Sequence, residues 1–253
     1  MKAALVTGAG SGIGRAVALR LAAGGAAVGV VDVRPGAAQD VAATIVSLGG
    51  TAEAATADVG DEPAVERAVG LVAERFGVLD TVVTCAGLAI SSHTHETSLA
   101  TWETSLRVNL TGTFLTIKHA VPHLIGAGGG PIVTIGSVAS LVAAGRSSAY
   151  DASKGGVLQL TRSVAVEYVD AGIRANCVCP GVVATDLGAN TAAITNEMRP
   201  ASPRRAPAER IDVPMSRAAA PEEIAAVVAF LCSDDASFMT GAAVPVDGGF
   251  TAI

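Results

Sequence analysis

Thr7-Gly8-Ala9-Gly10-Ser11-Gly12-Ile13-Gly14 follows the apolar run Ala3-Ala4-Leu5-Val6 and leads into Ile13–Ala23, a segment of helical period. Strand, glycine-rich turn and helix come in immediate succession. Gly8, Gly12 and Gly14 permit a tight turn and let the backbone approach a pyrophosphate, whose charge is favoured at a helix N-terminus. Ser11 and Ile13 lie in the same turn and are expected to meet the same ligand. A chain with 29 glycines produces clusters by composition alone, so the position directly after the first strand carries the reading.

The same alternation continues downstream. Ala27–Val31, Ala54–Ala57, Thr81–Cys85, Ile132–Ile135, Arg174–Cys179 and Ala243–Val246 read as buried strands. Between them, Ala64–Phe76, Leu99–Leu124, Ser153–Asp170 and Glu222–Cys232 place apolar residues three and four apart. Pro63 and Pro221 suit first-turn positions, with Asp61, Glu62, Glu222 and Glu223 beside them near the helix starts. Strand–helix alternation on this scale implies parallel strands joined by right-handed crossovers. The expected fold is α/β, a Rossmann-type doubly wound sheet of about seven strands flanked by helices. No linker or repeat divides the chain, so residues 1–253 read as one dinucleotide-binding and catalytic domain. The stretch 186–217, rich in Ala, Pro and Arg, is too long for an ordinary connection and is expected to be a substrate loop or lid.

Half of the residues are apolar, 16% are charged and the mean hydropathy is +0.50, which excludes a disordered chain. A net charge of -6 argues against a general nucleic-acid binder. Four cysteines are too few for a disulfide scaffold and suit a reducing compartment. Met1-Lys2 leads straight into the first strand and leaves no room for a signal peptide. The uncharged stretch between Lys118 and Arg146 contains His119, His123, Pro122, Pro131 and Gly128-Gly129-Gly130, chemistry unsuited to a spanning helix. These features together predict a soluble cytoplasmic protein.

Asp32 closes the second strand, where a carboxylate accepts hydrogen bonds from an adenosine ribose and repels the extra phosphate of NADP. NAD is therefore the expected cofactor and NADP the lesser one. Arg34 is a counter-signal, since a guanidinium two residues on is able to turn toward a 2′-phosphate. Neither Gly10 nor Ser11 is basic, which removes another way of holding that phosphate.

Tyr150-Asp151-Ala152-Ser153-Lys154 sets a phenol and an ammonium four residues apart, on one face of a helix. In a chain with two tyrosines that spacing arises by chance with odds of about 2%. A free phenol has a pKa of about 10, and a nearby cation lowers it toward useful acid/base chemistry. Ser137, just beyond the fifth strand, is placed to hydrogen-bond a substrate oxygen and the tyrosine hydroxyl.

Thr7–Gly14, Asp58, Asn109, Ser137, Tyr150, Lys154 and Pro180-Gly181 resemble, in order and spacing, the short-chain dehydrogenase/reductase superfamily in its ordinary single-domain branch. The resemblance runs from Ala3 to Val246-Asp247-Gly248-Gly249. It implies that Tyr150 is the general acid/base, that Lys154 holds the nicotinamide ribose and lowers the tyrosine pKa, and that Ser137 positions the substrate oxygen. Asn109 would hold a water linking Lys154 to solvent. Asp58 and Val59 would touch the adenine, and Ala86 and Gly87 would neighbour the cofactor. Pro180 and Gly181 would lead the Val183 backbone and the Thr185 hydroxyl onto the nicotinamide carboxamide. The family usually carries Asn-Asn-Ala-Gly after the fourth strand, whereas this chain has Thr84-Cys85-Ala86-Gly87. That change removes side-chain hydrogen bonds that stiffen the sheet and leaves the backbone contacts.

The implied activity is NAD-dependent interconversion of a secondary alcohol and a ketone by hydride transfer, on a small-molecule substrate. Two alternatives are an NADPH-dependent 3-ketoacyl-thioester reductase and a non-catalytic dinucleotide sensor. The presence of both Tyr150 and Lys154 argues against the sensor. The family also implies a homotetramer built on the helices at Leu99–Leu124 and Ser153–Asp170. Cys177 and Cys179 alternate on a strand and read as buried small residues. With no second pair of ligands near them, no metal site is expected. His93 and His95 lie in a polar loop expected to border the pocket, and Val138, Ala139 and Ala144 suggest a small apolar lining. The basic run from Arg199 through Arg204 and Arg205 to Arg210 suits either an anionic substrate or a solvated loop.

Overall fold

Alternate side chains of the first strand pack into two different cores: Ala4 and Val6 into one, Leu5 into the other. This strand is therefore covered by helices on both faces, as a parallel sheet requires. The computed structural model describes residues 1–143, 147–195 and 213–252. Among them seven strands form one sheet: β1 Ala3–Thr7, β2 Ala27–Asp32, β3 Thr51–Thr56, β4 Thr81–Thr84, β5 Gly130–Ile135, β6 Ile173–Pro180 and β7 Ala243–Val246. Their order is β3-β2-β1-β4-β5-β6-β7, and every pairing is parallel. The chain winds outward from β1 to β3, then crosses back to lay β4 on the other side of β1. That reversal opens a crevice at the carboxyl ends of β1 and β4.

Helices α1 Gly12–Ala23, α2 Pro35–Ser47 and α8 Pro221–Cys232 bury Val17, Leu21, Val41, Ile45, Val228 and Leu231 against one face. On the other face lie α3 Glu62–Phe76, α5 Gly112–Gly126 and α6 Ser148–Glu167, which bury Val69, Val72, Leu115, Leu124 and Val164. Helix α4 Leu99–Leu106 precedes α5, and α7 Leu187–Thr195 follows β6. No helix among the described residues is long and apolar enough to cross a membrane.

Three local features depart from the sequence reading. Helix α2 had no counterpart in it, because its inward face is half alanine (Ala38, Val41, Ala42, Ile45) and gives little apolar contrast. The expected helix Leu99–Leu124 is interrupted by a π-helical turn at Arg107–Thr111, with the buried Asn109 inside it. Such turns insert a residue into the helical ladder and often mark functional sites. Helix α6 begins at Ser148, five residues before the expected Ser153, so Tyr150 lies in its first turn. The candidate lid is represented by α7, while residues 196–212, including Arg199, Arg204, Arg205 and Arg210, lie outside the described residues.

Candidate active site

The glycine turn approaches neighbouring backbone too closely for side chains. Gly8 and Gly12 adopt φ of +62° and +52°. A Cβ at Gly8 would sit 2.7 Å from the Ala86 backbone, and one at Gly14 would overlap the Gly8 carbonyl. The N-terminus of α1 consequently faces the β1–β4 crevice, where Gly8, Ser11, Gly12, Ile13 and Gly14 line the cleft.

Asp32, at the end of β2, is 5% exposed, and its carboxylate is oriented by three donors. Gly10 N–H donates to Oδ2 at 2.9 Å, while the Arg34 N–H and Nε donate to Oδ1 at 3.0 and 3.3 Å. Asp58 follows β3, where it accepts from Gly60 N–H at 2.9 Å and pairs with Arg107 Nη1 at 2.8 Å. The carboxylate expected to meet the adenine is thus shared with a guanidinium from the π-helical turn.

Lys154 is 5% exposed and donates from Nζ to the Ile135 carbonyl at 2.8 Å, which seats α6 on the end of β5. Ser140 Oγ donates to the Lys154 carbonyl at 2.8 Å, and Thr134 and Thr161 share a buried hydrogen bond of 2.7 Å between the same strand and helix. These contacts set Tyr150 and Lys154 on one helix face, the ammonium 5.9 Å from the centre of the phenol ring. Burial pushes the Tyr150 hydroxyl above its ordinary pKa, a hydrogen bond with Ser137 opposes that rise, and Asp151 adds to it. Burial also pushes the Lys154 ammonium down. The Lys154 ammonium donates to a carbonyl, and Ser137 is the neighbour that draws the Tyr150 pKa downward against burial.

Asn109 stands behind this group, fully buried. Its Oδ1 accepts from Leu88 N–H at 2.8 Å, and its Nδ2 donates to the Leu88 carbonyl at 3.0 Å and to Ser153 Oγ at 3.0 Å. These bonds give the Asn109 side chain protein partners on both its oxygen and its nitrogen. A Cβ at Gly87 would lie 3.2 Å from Asn109 Oδ1 and 3.5 Å from Lys154 Nζ, so the backbone at Gly87 passes close to both.

One cleft, enclosing about 1300 Å³ of empty space including its open mouth, brings together every residue expected to meet the cofactor. The glycine turn (Gly8, Ser11, Gly12, Ile13, Gly14) and Asp32 line one end, with Asp58 and Val59 beside them. Ala86, Gly87, Ser137, Tyr150 and Lys154 line it near the ends of β4 and β5, and Pro180, Gly181, Val183 and Thr185 line it after β6. The last group is held by Ala184 N–H to the Ala219 carbonyl and Ala219 N–H to the Val182 carbonyl, both 2.9 Å. Of the expected site residues, Asn109 alone does not line the cleft. Sequence reasoning missed Leu88, Arg107, Leu187 and Asn190, which also line it; they follow no motif and reach it from three separate segments, the loop after β4, the π-helical turn and α7.

The Thr84-Cys85 departure leaves a trace: Thr84 Oγ1 is buried without a hydrogen-bond partner, and burial raises the Cys85 thiol to about 12. Cys177 and Cys179 point the same way, their sulfurs 3.9 Å apart and fully buried. Among the described residues no three His, Cys, Asp or Glu side chains gather as metal ligands. His93 and His95 stack at 5.8 Å between ring centres but do not line the cleft. Val138 and Ala139 form the turn beside Ser137, and Ala144 lies outside the described residues.

A nicotinamide dinucleotide suits these residues. The Cβ-free turn at a helix start accommodates phosphates, and the fixed Asp32 carboxylate presents acceptors at the end of β2. A family model described as enoyl-(acyl carrier protein) reductase matches residues 8–251. The cis-4-hydroxycyclohexanecarboxylate dehydrogenase of Sinomonas cyclohexanicum is 44% identical over 253 residues, spanning 100% of this chain and 97% of that one. The cyclohexanol dehydrogenase of Acinetobacter sp. (strain SE19) is 42% identical over 99% of this chain and 95% of its own. The crystal structure of levodione reductase superposes with a TM-score of 0.90 at 37% identity, covering 99% of this chain and 98% of the other. Matched from end to end in this way, the chain belongs to the short-chain dehydrogenase/reductase superfamily, whose dehydrogenases use a nicotinamide dinucleotide, and its relatives are alcohol/ketone oxidoreductases.

Proposed function

We propose that this protein interconverts a secondary alcohol and a ketone with NAD, using Tyr150 as general acid/base. The observation that carries the reading is that Tyr150, Ser137 and the buried Lys154 line one cleft, the one that begins at the glycine turn, with Lys154 Nζ 5.9 Å from the centre of the phenol ring. The bound dinucleotide supplies or accepts a hydride. The glycine turn holds its phosphates, Asp32 its adenosine ribose, and Asp58 and Val59 its adenine. Lys154 holds the nicotinamide ribose, while Val183 and Thr185 hold the carboxamide. Ser137 orients the substrate oxygen toward the Tyr150 hydroxyl. In ketone reduction the neutral phenol donates its proton to that oxygen; in alcohol oxidation the phenolate removes it. Asn109 acts through the backbone, keeping the Gly87–Leu88 segment against Lys154.

NAD is favoured because the Asp32 carboxylate is fixed at the end of β2 by the Gly10 amide, so a 2′-phosphate there would face a fixed negative charge. Small cyclic alcohols are favoured as substrates by the names of the two dehydrogenases above. Association as a homotetramer is supported by Leu99, Trp102, Phe114 and Val166, large apolar side chains left exposed on α4, α5 and α6. Light scattering of the purified protein tests it, since a 25.0 kDa particle would reject assembly.

The functional test is a panel of secondary alcohols with NAD, run on the native enzyme and on Tyr150→Phe. Reduced nicotinamide should appear only with the native enzyme. Turnover of acyl thioesters alone, or undiminished turnover by Tyr150→Phe, overturns the reading.

A further inference from the structure

Arg34 and Asn190 are 156 positions apart and meet over the glycine turn. Arg34 Nη1 donates to Asn190 Oδ1 at 2.9 Å, Arg34 Nη2 donates to Ser11 Oγ at 3.0 Å, and Asn190 Nδ2 donates to the same Ser11 Oγ at 3.2 Å. The three side chains close a ring. Its polarity follows from chemistry: a guanidinium only donates, so Asn190 must turn its oxygen to Arg34 and its amide nitrogen to Ser11. Ser11 Oγ accepts twice, which uses both of its lone pairs and leaves its proton as the remaining polar function. That proton belongs to a residue of the turn that meets the phosphates, so the ring presets Ser11 as a donor to an anion.

The ring also fastens α7. Asn190 ties this helix to the turn before α1, and the adjacent Thr191 Oγ1 accepts from Ala89 N–H at 3.1 Å, tying it to the loop after β4. Two consecutive residues of one helix are therefore attached to opposite sides of the β1–β4 crevice. Arg34 has a second anchor in Asp32, through Nε at 3.3 Å. The helix over the cleft, the serine of the glycine turn and the carboxylate at the end of β2 are thus joined through a single guanidinium.

We propose that Arg34 and Asn190 are a clasp that couples the order of α7 to occupancy of the adenosine–pyrophosphate half of the cleft. A ligand that accepts a hydrogen bond from the Ser11 hydroxyl strengthens the ring through polarisation along its hydrogen bonds, and an ordered α7 slows departure of that ligand. Asn190 is a positioning residue in this scheme: it acts through Arg34 and Ser11. The proposal rests on the dinucleotide reading of the cleft.

The test uses ADP-ribose, which carries adenosine and both phosphates without nicotinamide. Calorimetry on the native protein, Arg34→Ala, Asn190→Ala and the double variant gives a cycle of affinities, and hydrogen exchange over residues 187–195 reports the helix. Each single variant should bind ADP-ribose about fivefold more weakly, and the double variant no more weakly than the worse single one. Ligand-induced protection of α7 should be present in the native protein and absent in Asn190→Ala. Asn190→Asp keeps the acceptor for Arg34 while losing the donor to Ser11, so part of the affinity should return. Additive losses, or equal protection in native protein and Asn190→Ala, overturn the clasp. Failure of the native protein to bind ADP-ribose at all instead overturns the dinucleotide reading beneath it.

Discussion

Asn109 and Leu88 form a closed pair: the amide side chain accepts from the Leu88 N–H at 2.8 Å and donates to its carbonyl at 3.0 Å. The π-helical turn at Arg107–Thr111 is where this side chain leaves its helix. Through it the loop after β4, which carries Ala86 and Gly87, is fixed against Lys154. Asn109→Ala leaves a buried N–H and carbonyl unpaired, at a cost of about 2–4 kcal/mol. Chemical denaturation should register that loss, and kcat should fall at least about tenfold as the loop shifts.

Gly87 tests the same contact from the other side. Gly87→Ala introduces a methyl 3.2 Å from Asn109 Oδ1, which must give by a few tenths of an ångström, and in ordinary contact, at 3.5 Å, with Lys154 Nζ. Folding should persist with a thermal midpoint lowered by a few degrees, while kcat/KM falls by about one order of magnitude or more. Unchanged kcat/KM would show that the position of the Asn109 amide is not critical.

Because burial raises the Tyr150 pKa, alcohol oxidation and ketone reduction should respond oppositely to pH. Oxidation requires the phenolate, so its kcat/KM should climb about tenfold per pH unit below the hydroxyl pKa and level off above it. Reduction requires the neutral phenol and should stay level through neutral pH, declining only in alkali. Ser137 lowers this pKa, so Ser137→Ala should carry the oxidation limb to higher pH as well as reduce the rate. Initial-rate profiles in both directions check each sign.

At the Asp32 end, Asp32→Ser removes the fixed carboxylate and frees Arg34 from one of its partners. The ratio of kcat/KM with NADPH to that with NADH should rise about a hundredfold, equivalent to about 2.7 kcal/mol of transition-state binding. A ratio that does not move would remove the electrostatic basis for NAD preference.

Stability at low pH should depend on Glu223 at the start of α8. Arg217 donates to both of its oxygens at 2.7 and 2.8 Å, Ala220 N–H donates at 2.8 Å, and its pKa falls to about 2. A depressed carboxylate stabilises the fold above its ordinary value of 4.5 and loses that effect as pH falls toward about 2. Glu223→Gln should lower the denaturant midpoint at neutral pH, and the gap to the native protein should close across that acidic window.

The seven strands, the glycine turn and the Tyr150–Lys154 spacing were legible in the chain because each is a local pattern: apolar runs, φ-tolerant residues at a strand end, one helical turn between two side chains. Their gathering into one cleft also followed, since parallel winding sends strand ends to a common side. Helix α2 was not legible, because alanine makes a buried face without much apolar contrast. The early start of α6 and the π-helical turn at Asn109 are likewise products of packing between distant segments. Only the tertiary structure decided that Lys154 would donate a hydrogen bond to the Ile135 carbonyl, that burial would raise the phenol's pKa, and that Asn190 would reach Arg34 and Ser11. Desolvation and long-range hydrogen bonding depend on what the rest of the chain brings to a residue, whereas strand, turn and helix propensities depend mostly on the residue's neighbours in sequence.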